Sequence, residues 1–114
     1  MEKNGCIFCQ IVNGQLNSNI VWQDDSSLAI RDLNPQAPSH ILVIPKQHMS
    51  DITECKDSVI LGSLFQKASL LATQEGLTKD GFRLVVNTGV DGGQTINHLH
   101  IHVLGGRSMS WPPG

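Results

Sequence analysis

An alternation of histidine and apolar residues near the C-terminal end, His98-Leu99-His100-Ile101-His102-Val103, constrains this chain more than any other feature. Side chains alternate between the two faces of a β-strand, so the spacing predicts a strand over 97–104 with its histidines on one face. The apolar residues of the other face are expected to pack against a helix. Three buried imidazoles without partners would be unfavourable, so we expect the histidine face to line a cleft.

The residues alone leave three interpretations of this strand open. One is a surface strand whose histidines have no function. Another is a single metal ion held by all three histidines, but the Cα atoms of His98 and His102 would be about 13 Å apart, too far for one ion bonded at about 2 Å. The third is nucleophilic catalysis, because imidazole is largely neutral near pH 7 and can attack phosphorus to form a phosphohistidine.

A glycine-rich segment, Asp91-Gly92-Gly93-Gln94-Thr95, precedes the histidine strand. Glycines allow a backbone in which several N–H groups point at one anion, and the Thr95 hydroxyl adds another donor. Such a segment alone is most often only a turn. Close to a candidate nucleophile, it indicates a loop that binds phosphate and stabilises the charge on the phosphoryl oxygens.

The remaining pattern predicts an α+β fold with mostly antiparallel strands and one main helix. Apolar positions over 57–75 recur every three or four residues, which is typical of a helix capped by Asp57 or Ser58 and ended by Gly76. A short helix or turn is predicted at 6–13. The predicted strands are 18–23, 28–32, 40–44, 82–87 and 97–104, the first two forming a hairpin, and residues 105–114 are irregular.

The composition fits one compact domain over residues 1–114. The net charge is −2 and no block of like charges occurs, which argues against a nucleic-acid partner. No apolar run is long enough to span a membrane, and no signal peptide is predicted. Three cysteines, two of them in the Cys-x-x-Cys spacing of Cys6 and Cys9, favour a cytoplasmic location over a secreted disulfide framework.

The segment His98-Leu99-His100-Ile101-His102-Val103-Leu104 resembles the signature of the histidine triad family, His-x-His-x-His-x-x with x apolar. Other segments that resemble the family are Ile7-Phe8, 28–32, 35–40, 43–46, 85–87, 91–94 and 105–107. The ending Trp111-Pro112-Pro113-Gly114 is similar to that of the Hint branch, the histidine triad nucleotide-binding proteins. The resemblance implies a five-stranded antiparallel sheet with helices, continued across a two-fold homodimer.

An activity follows from the same resemblance: hydrolysis of purine nucleoside 5′-phosphoramidates, such as adenosine 5′-monophosphoramidate, through a nucleotidyl-histidine. His100 would be the nucleophile and His102 would contact the phosphate, while His40 would lie behind the triad and orient a ring nitrogen. Thr95 stands where the Hint branch usually has serine. Its hydroxyl would relay a proton to the leaving amine, although the extra methyl group could narrow the pocket. No cofactor is required for this chemistry.

The resemblance also assigns the residues around a bound purine nucleotide, AMP or GMP. Asp32 would accept hydrogen bonds from the ribose hydroxyls, and Trp111 would reach toward the active site of a partner subunit. The base would lie against Ile7, Phe8, Ile11, Ile30 and Leu33. The phosphate side would be formed by Asn87, Gly93, Gln94, Thr95, His100 and His102. If the protein is eukaryotic, the resemblance implies a nuclear as well as a cytoplasmic location.

Cys6 and Cys9 have the spacing of zinc ligands, but a complete site needs two more. In relatives of the bacterial type the positions of His48 and His98 supply them, so the resemblance implies a structural Cys₂His₂ zinc site. The alternative is two small buried cysteines, with His98 hydrogen-bonded inside the triad. Two other functions stay open: a nucleotide-binding or scaffold protein with weak hydrolysis, and a metalloprotein with an open metal position.

Overall fold

An antiparallel sheet of five strands forms the centre of the protein in a computed structural model, which describes residue 3 and residues 5–114. The domain predicted over 1–114 also includes Met1, Glu2 and Asn4, which lie outside the described residues. The elements are α1 (Ile7–Val12), β1 (Ile20–Gln23), β2 (Ser27–Arg31), β3 (Ser39–Pro45), a 3₁₀ turn (Ile52–Glu54), α2 (Ser58–Gln74), β4 (Phe82–Val85) and β5 (Ile101–Gly105). The strand order β1-β2-β3-β5-β4 confirms the predicted α+β fold. No helix in the described part of the chain is long and apolar enough to cross a membrane.

Helix α2 covers one face of the sheet. It begins after Asp57, whose carboxylate accepts a hydrogen bond from the Val59 amide at 2.9 Å, and Gly76 follows its end with a φ of +76°. Because the apolar positions of α2 recur with the helical period, one side of the helix meets alternate residues of β3 and β5. The core on this face includes Ala29, Ile41, Val43, Leu64, Ala68, Leu71, Ala72, Leu99, Ile101 and Val103. The predicted packing of the apolar triad positions against a helix is thus confirmed.

Helix α1 packs on the opposite face of the sheet. Its residues Phe8 and Ile11 belong to a second core cluster with apolar residues of β2 and β3. Strand β3 presents His40 on this face and strand β5 presents His102. The two are diagonal neighbours, because His40 pairs with Leu104 in the register of the two strands. The face of the sheet that carries His40 and His102 is therefore the one on which α1 packs.

The last strand is shorter than predicted. Strand β5 begins at Ile101 and not at residue 97, so His98 and His100 precede it. The amide of Leu99 donates to the carbonyl of Met49 at 2.7 Å, a contact outside the sheet ladder. The prediction that all three histidines lie in one strand is wrong, because this contact and the contacts of the His98 ring hold the segment away from the ladder. Strand β4 likewise ends at Val85, two residues before the predicted end.

Candidate functional site

His100 is buried beside the backbone of His98, with 6% of its surface exposed. Its Nδ1 lies 2.7 Å from the carbonyl oxygen of His98, so Nδ1 carries a proton and donates it. In the neutral ring, Nε2 is then unprotonated and has a lone pair available. Burial lowers the pKa of His100, which keeps the imidazole neutral near pH 7. The result is a neutral imidazole suited to nucleophilic attack.

A chain of hydrogen bonds fixes the tautomer of His102. The amide of Gln36 donates to Nδ1 of His40 at 3.0 Å, so the proton of the neutral His40 ring is on Nε2. That Nε2 lies 2.9 Å from Nδ1 of His102 and donates to it. His102 therefore carries its proton on Nε2, as a donor for an anion. Burial is the largest cause that lowers the pKa of His102, to about 4, and the neighbouring His100 and His40 lower it further.

Asp32 follows β2 and extends the pairing with β3, since its amide donates to the carbonyl of His40 at 3.0 Å. This pairing brings Oδ2 of Asp32 to 3.4 Å from Nε2 of His40. The other carboxylate oxygen accepts a hydrogen bond from the amide of Asn34 at 2.8 Å. The side chain is 21% exposed, so its remaining lone pairs can accept hydrogen bonds from a ligand.

A cavity of about 690 Å³ opens on the α1 face, within the range of pockets that hold small organic ligands. Asp32, His40, His102 and Thr95 are among the residues that contribute polar groups to it. The five residues predicted for the base all line it: Ile7, Phe8, Ile11, Ile30 and Leu33. The His100 ring lies next to this wall, with its centroid 5.2 Å from that of Phe8 and 4.9 Å from that of His102. Candidate nucleophile and predicted base pocket are thus adjacent.

The glycine-rich loop depends on Gly92. A Cβ atom at this position would lie 2.2 Å from the carbonyl oxygen of Thr88, so no other residue fits without moving the backbone. The side chain of Asn87 donates to the carbonyl of Gly92 at 2.7 Å and holds the loop closed. Asn87 was expected at the phosphate, and the structure shows it bracing the loop that precedes Thr95.

Gln94 also braces this loop. Its Nε2 donates to the carbonyls of Ser50 and Ile96 at 2.7 and 3.0 Å. The backbone amides of Gly93 and Gln94 donate to carbonyls earlier in the loop, so they do not form the expected anion cradle. Thr95 differs, because neither its amide nor its hydroxyl has a hydrogen-bond partner within the described residues. Thr95 is therefore the loop residue best placed to donate to a ligand.

Trp111 lies away from this cavity in its own subunit. It is 81% exposed and does not line the cavity. The tail that carries it is held beside β4, where Nη2 of Arg83 donates to the carbonyl of Ser110 at 2.9 Å. The role predicted for Trp111 involves a second subunit and stays a prediction.

A second cluster joins Cys6, Cys9, His48 and His98, whose ligand atoms all lie within 4.8 Å of one another. Nε2 of His98 donates to the carbonyl of Pro45 at 2.8 Å, which leaves its Nδ1 unprotonated and directed into the cluster. That Nδ1 lies 3.3 Å from Sγ of Cys6 and 3.1 Å from Nδ1 of His48. Two sulfur and two nitrogen donors around one point are the ligand set of a tetrahedral zinc ion.

The donor set fits a structural zinc ion, because four protein ligands leave no position for substrate. The alternative, with His98 hydrogen-bonded inside the triad, does not describe the structure. The His98 ring turns into the Cys6–Cys9 cluster and only its carbonyl contacts His100. The histidine triad is thus divided between two adjacent sites.

The chain matches the family model of the HIT domain over residues 13–109. It belongs to the HIT family. A HIT family hydrolase from Legionella pneumophila Philadelphia 1 is 46% identical, with a TM-score of 0.94 and coverage of 96% of this chain and 100% of that chain. Adenylylsulfatase HINT1 of Arabidopsis thaliana is 45% identical over 95% of this chain and 76% of its own length. A 14 kDa zinc-binding protein of Zea mays is 43% identical over 100% of this chain and 91% of its own.

Several residues that line the cavity of this HIT protein were not predicted from the sequence. Residues 16–18 line it, but they are brought there by the pairing of β1 with β2, whose register a single sequence leaves open. The pairing register of the predicted hairpin could have located them. In an antiparallel pair, the residues just before β1 lie opposite the residues just after β2, which line the cavity. Gln36 acts on His40 through its backbone amide, and no side-chain pattern marks such a donor.

Proposed function

We propose that this HIT protein is a hydrolase of purine nucleoside 5′-phosphoramidates, with His100 as the nucleophile. The observation that carries this proposal is the hydrogen bond from Nδ1 of His100 to the His98 carbonyl, because it leaves Nε2 unprotonated beside the cavity. The cavity size supports a nucleotide ligand. Asp32 offers a carboxylate to ribose hydroxyls, which are hydrogen-bond donors.

In the proposed reaction, Nε2 of His100 forms a bond to phosphorus as the bond from phosphorus to the amine breaks. The N–H of His102 and the amide of Thr95 donate to the phosphoryl oxygens, whose negative charge increases in the transition state. The leaving amine takes a proton from the Thr95 hydroxyl, which regains one from solvent. Water then attacks phosphorus as the bond between phosphorus and Nε2 of His100 breaks, and a proton of that water passes to solvent. The nucleoside monophosphate is released and the neutral His100 imidazole is restored.

Zinc is assigned a structural role in this proposal, and no step of the reaction passes through it. When bound, it would hold Cys6, Cys9, His48 and His98 together and fix the backbone that orients His100.

We also propose a homodimer that pairs two sheets through β4, the last strand of the order β1-β2-β3-β5-β4. The tail beside β4 supports this edge, because a second copy paired there would lie within reach of Trp111. Sedimentation equilibrium should give twice the mass of one chain. A monomer at micromolar concentration would contradict the pairing.

The hydrolysis is tested by trapping the intermediate. The protein is mixed with adenosine 5′-phosphoramidate labelled at phosphorus, quenched within one turnover, and mapped by mass spectrometry. We expect the label on His100, and we expect His100→Ala to lose at least about 10³-fold in kcat while it still binds AMP. Label on another residue would overturn the mechanism. A rate near background with intact AMP binding would instead support a binding or scaffold protein.

The same assay tests two further alternatives, an open metal site and a different leaving group. For the first, a chelator is added to one sample during turnover, and loss of activity would indicate catalysis by an exchangeable metal. The name of the Arabidopsis relative makes adenylyl sulfate a second substrate to compare, with sulfate in place of the amine as leaving group.

A further inference from the structure

The segment between α1 and β1 brings two polar side chains to the cavity that the proposed reaction does not use. They are the amide of Asn17 and the hydroxyl of Ser18, beside a wall whose surface is largely apolar. Within the described residues, neither group has a hydrogen-bond partner in the protein. Polar groups placed in an apolar pocket usually fix the orientation or identity of the ligand.

Backbone contacts hold Asn17 in place on both sides. The amide of Leu16 donates to a carbonyl of α1 at 3.1 Å. Past Asn17, the carbonyl of Asn19 accepts from the amide of Arg31 at 3.0 Å, which extends the pairing of β1 with β2. The pairing is antiparallel, so residues before Asn19 lie alongside those after Arg31. Two of those, Asp32 and Leu33, line the same cavity, and Asn17 is therefore beside the positions assigned to the ribose and the base.

We propose that Asn17 makes the cavity select adenine over guanine. This inference rests on one part of the proposed function, namely that a purine nucleotide binds in the cavity. A primary amide presents a donor and an acceptor side by side. The N6 amino group and N7 of adenine present the complementary pair, so amide and base can form two hydrogen bonds at once. Guanine presents two acceptors, O6 and N7, at the same edge, and the amide oxygen then has no donor to accept from.

The test measures binding by calorimetry, with AMP, GMP and 7-deaza-AMP as ligands for the full chain. The wild type should bind AMP about five- to tenfold more tightly than GMP. Asn17→Ala should bring this ratio close to one, chiefly by weakening AMP. Removal of N7 in 7-deaza-AMP should weaken binding to the wild type but not weaken binding to Asn17→Ala further, because the two changes remove the same contact.

Asn19→Ala is the matched control, since it removes the same amide from an exposed residue that does not line the cavity. It should keep the wild-type ratio. Equal affinities of the wild type for AMP and GMP, or a preference that survives Asn17→Ala, would overturn the selection of adenine. Intact AMP binding without hydrolysis would count against the proposed reaction alone, whereas no nucleotide binding would overturn both.

Discussion

The carbonyl oxygen of His98 lies 2.7 Å from Nδ1 of His100, while the ring of His98 lies against Cys6 and Cys9. One residue therefore offers its side chain to a metal ion and its backbone to the candidate nucleophile. Because the ring and the carbonyl belong to the same residue, we expect a displacement of the ring to shift the hydrogen bond to His100. Metal binding and catalysis are thus expected to be coupled through position, without contact between the ion and substrate.

Loss of the metal should lower both stability and activity. In Cys9→Ser a weaker ligand replaces a buried thiolate donor, so we expect less than one zinc per chain and a Tm lower by about 10 °C or more. Elemental analysis and calorimetry of the same sample measure the two effects. Cys55→Ser is the control, because Cys55 lies outside the cluster. Unchanged zinc content and Tm in Cys9→Ser would contradict a metal site at these residues.

Removal of His40 should impair catalysis more than binding. His40→Ala takes away the donor to Nδ1 of His102, so His102 no longer has a fixed tautomer with its proton on Nε2. We expect kcat to fall by about 10²-fold while the KM for a phosphoramidate changes little. Steady-state kinetics separates the two parameters. A variant with normal kcat would show that the chain from Gln36 to His102 has no catalytic role.

Replacement of Gly92 should distort the loop before the triad. The Cβ of Gly92→Ala would lie 2.2 Å from the Thr88 carbonyl, so the backbone must shift and move Thr95. We expect lower stability and a higher KM. Gly62→Ala is the matched control: Gly62 lies inside α2 with open space around its Cβ direction, and alanine should stabilise the helix by about 0.5–1 kcal/mol. Urea unfolding of both variants provides the comparison, and equal effects would refute the role of the loop.

The ion pair between Arg31 and Glu75 should make stability depend on pH. The two terminal nitrogens of the guanidinium, Nη1 and Nη2, donate to the carboxylate at 2.6 and 3.0 Å, which is the main reason that the pKa of Glu75 is lowered. A lowered pKa in the folded state gives stability that is present above the unfolded-state pKa and is lost as pH falls through the folded-state value.

We therefore expect Glu75→Gln to be less stable than the wild type by about 0.5–1 kcal/mol at neutral pH, a small value because the pair is partly exposed. The difference should shrink as the pH falls through the lowered folded-state pKa of Glu75, because the wild-type carboxylate is then protonated. Urea unfolding over a pH series from neutral into acid measures it. Asp91→Asn serves as a control, since Asp91 is exposed and forms no ion pair in the described part of the chain. A difference that persisted in acid would point to packing and not to charge.

Local patterns were sufficient for the main helix. The predicted bounds of 57–75 differ from Ser58–Gln74 by one residue at each end, because the apolar period, the Asp57 cap and Gly76 are all encoded nearby in sequence. The start of β5 was missed, since His98 is drawn from the strand by contacts with residues about 50 and 90 positions away, Pro45, Cys6 and Cys9 among them. Alternation alone cannot detect such contacts.

In the candidate site, too, some features could be predicted from the sequence and others depend on distant contacts. The five apolar residues that the resemblance assigned to the base all line the cavity, while their contact with a base stays a prediction. The sequence could not predict that the amides of Gly93 and Gln94 donate to carbonyls within the loop. Glycines allow backbone amides to point at an anion but do not require it. Asn17 was missed because only the strand register places it at the cavity.

Helix α1 has only six residues, too few for a helix to persist in water without external support. Cys6 and Cys9 attach it to the cluster with His48 and His98, and between them Phe8 lines the cavity proposed to bind the nucleotide. A cell short of zinc would therefore accumulate molecules that stay folded around α2 but lack one side of the pocket. In such a cell, the amount of working protein would be governed by metal supply as much as by synthesis.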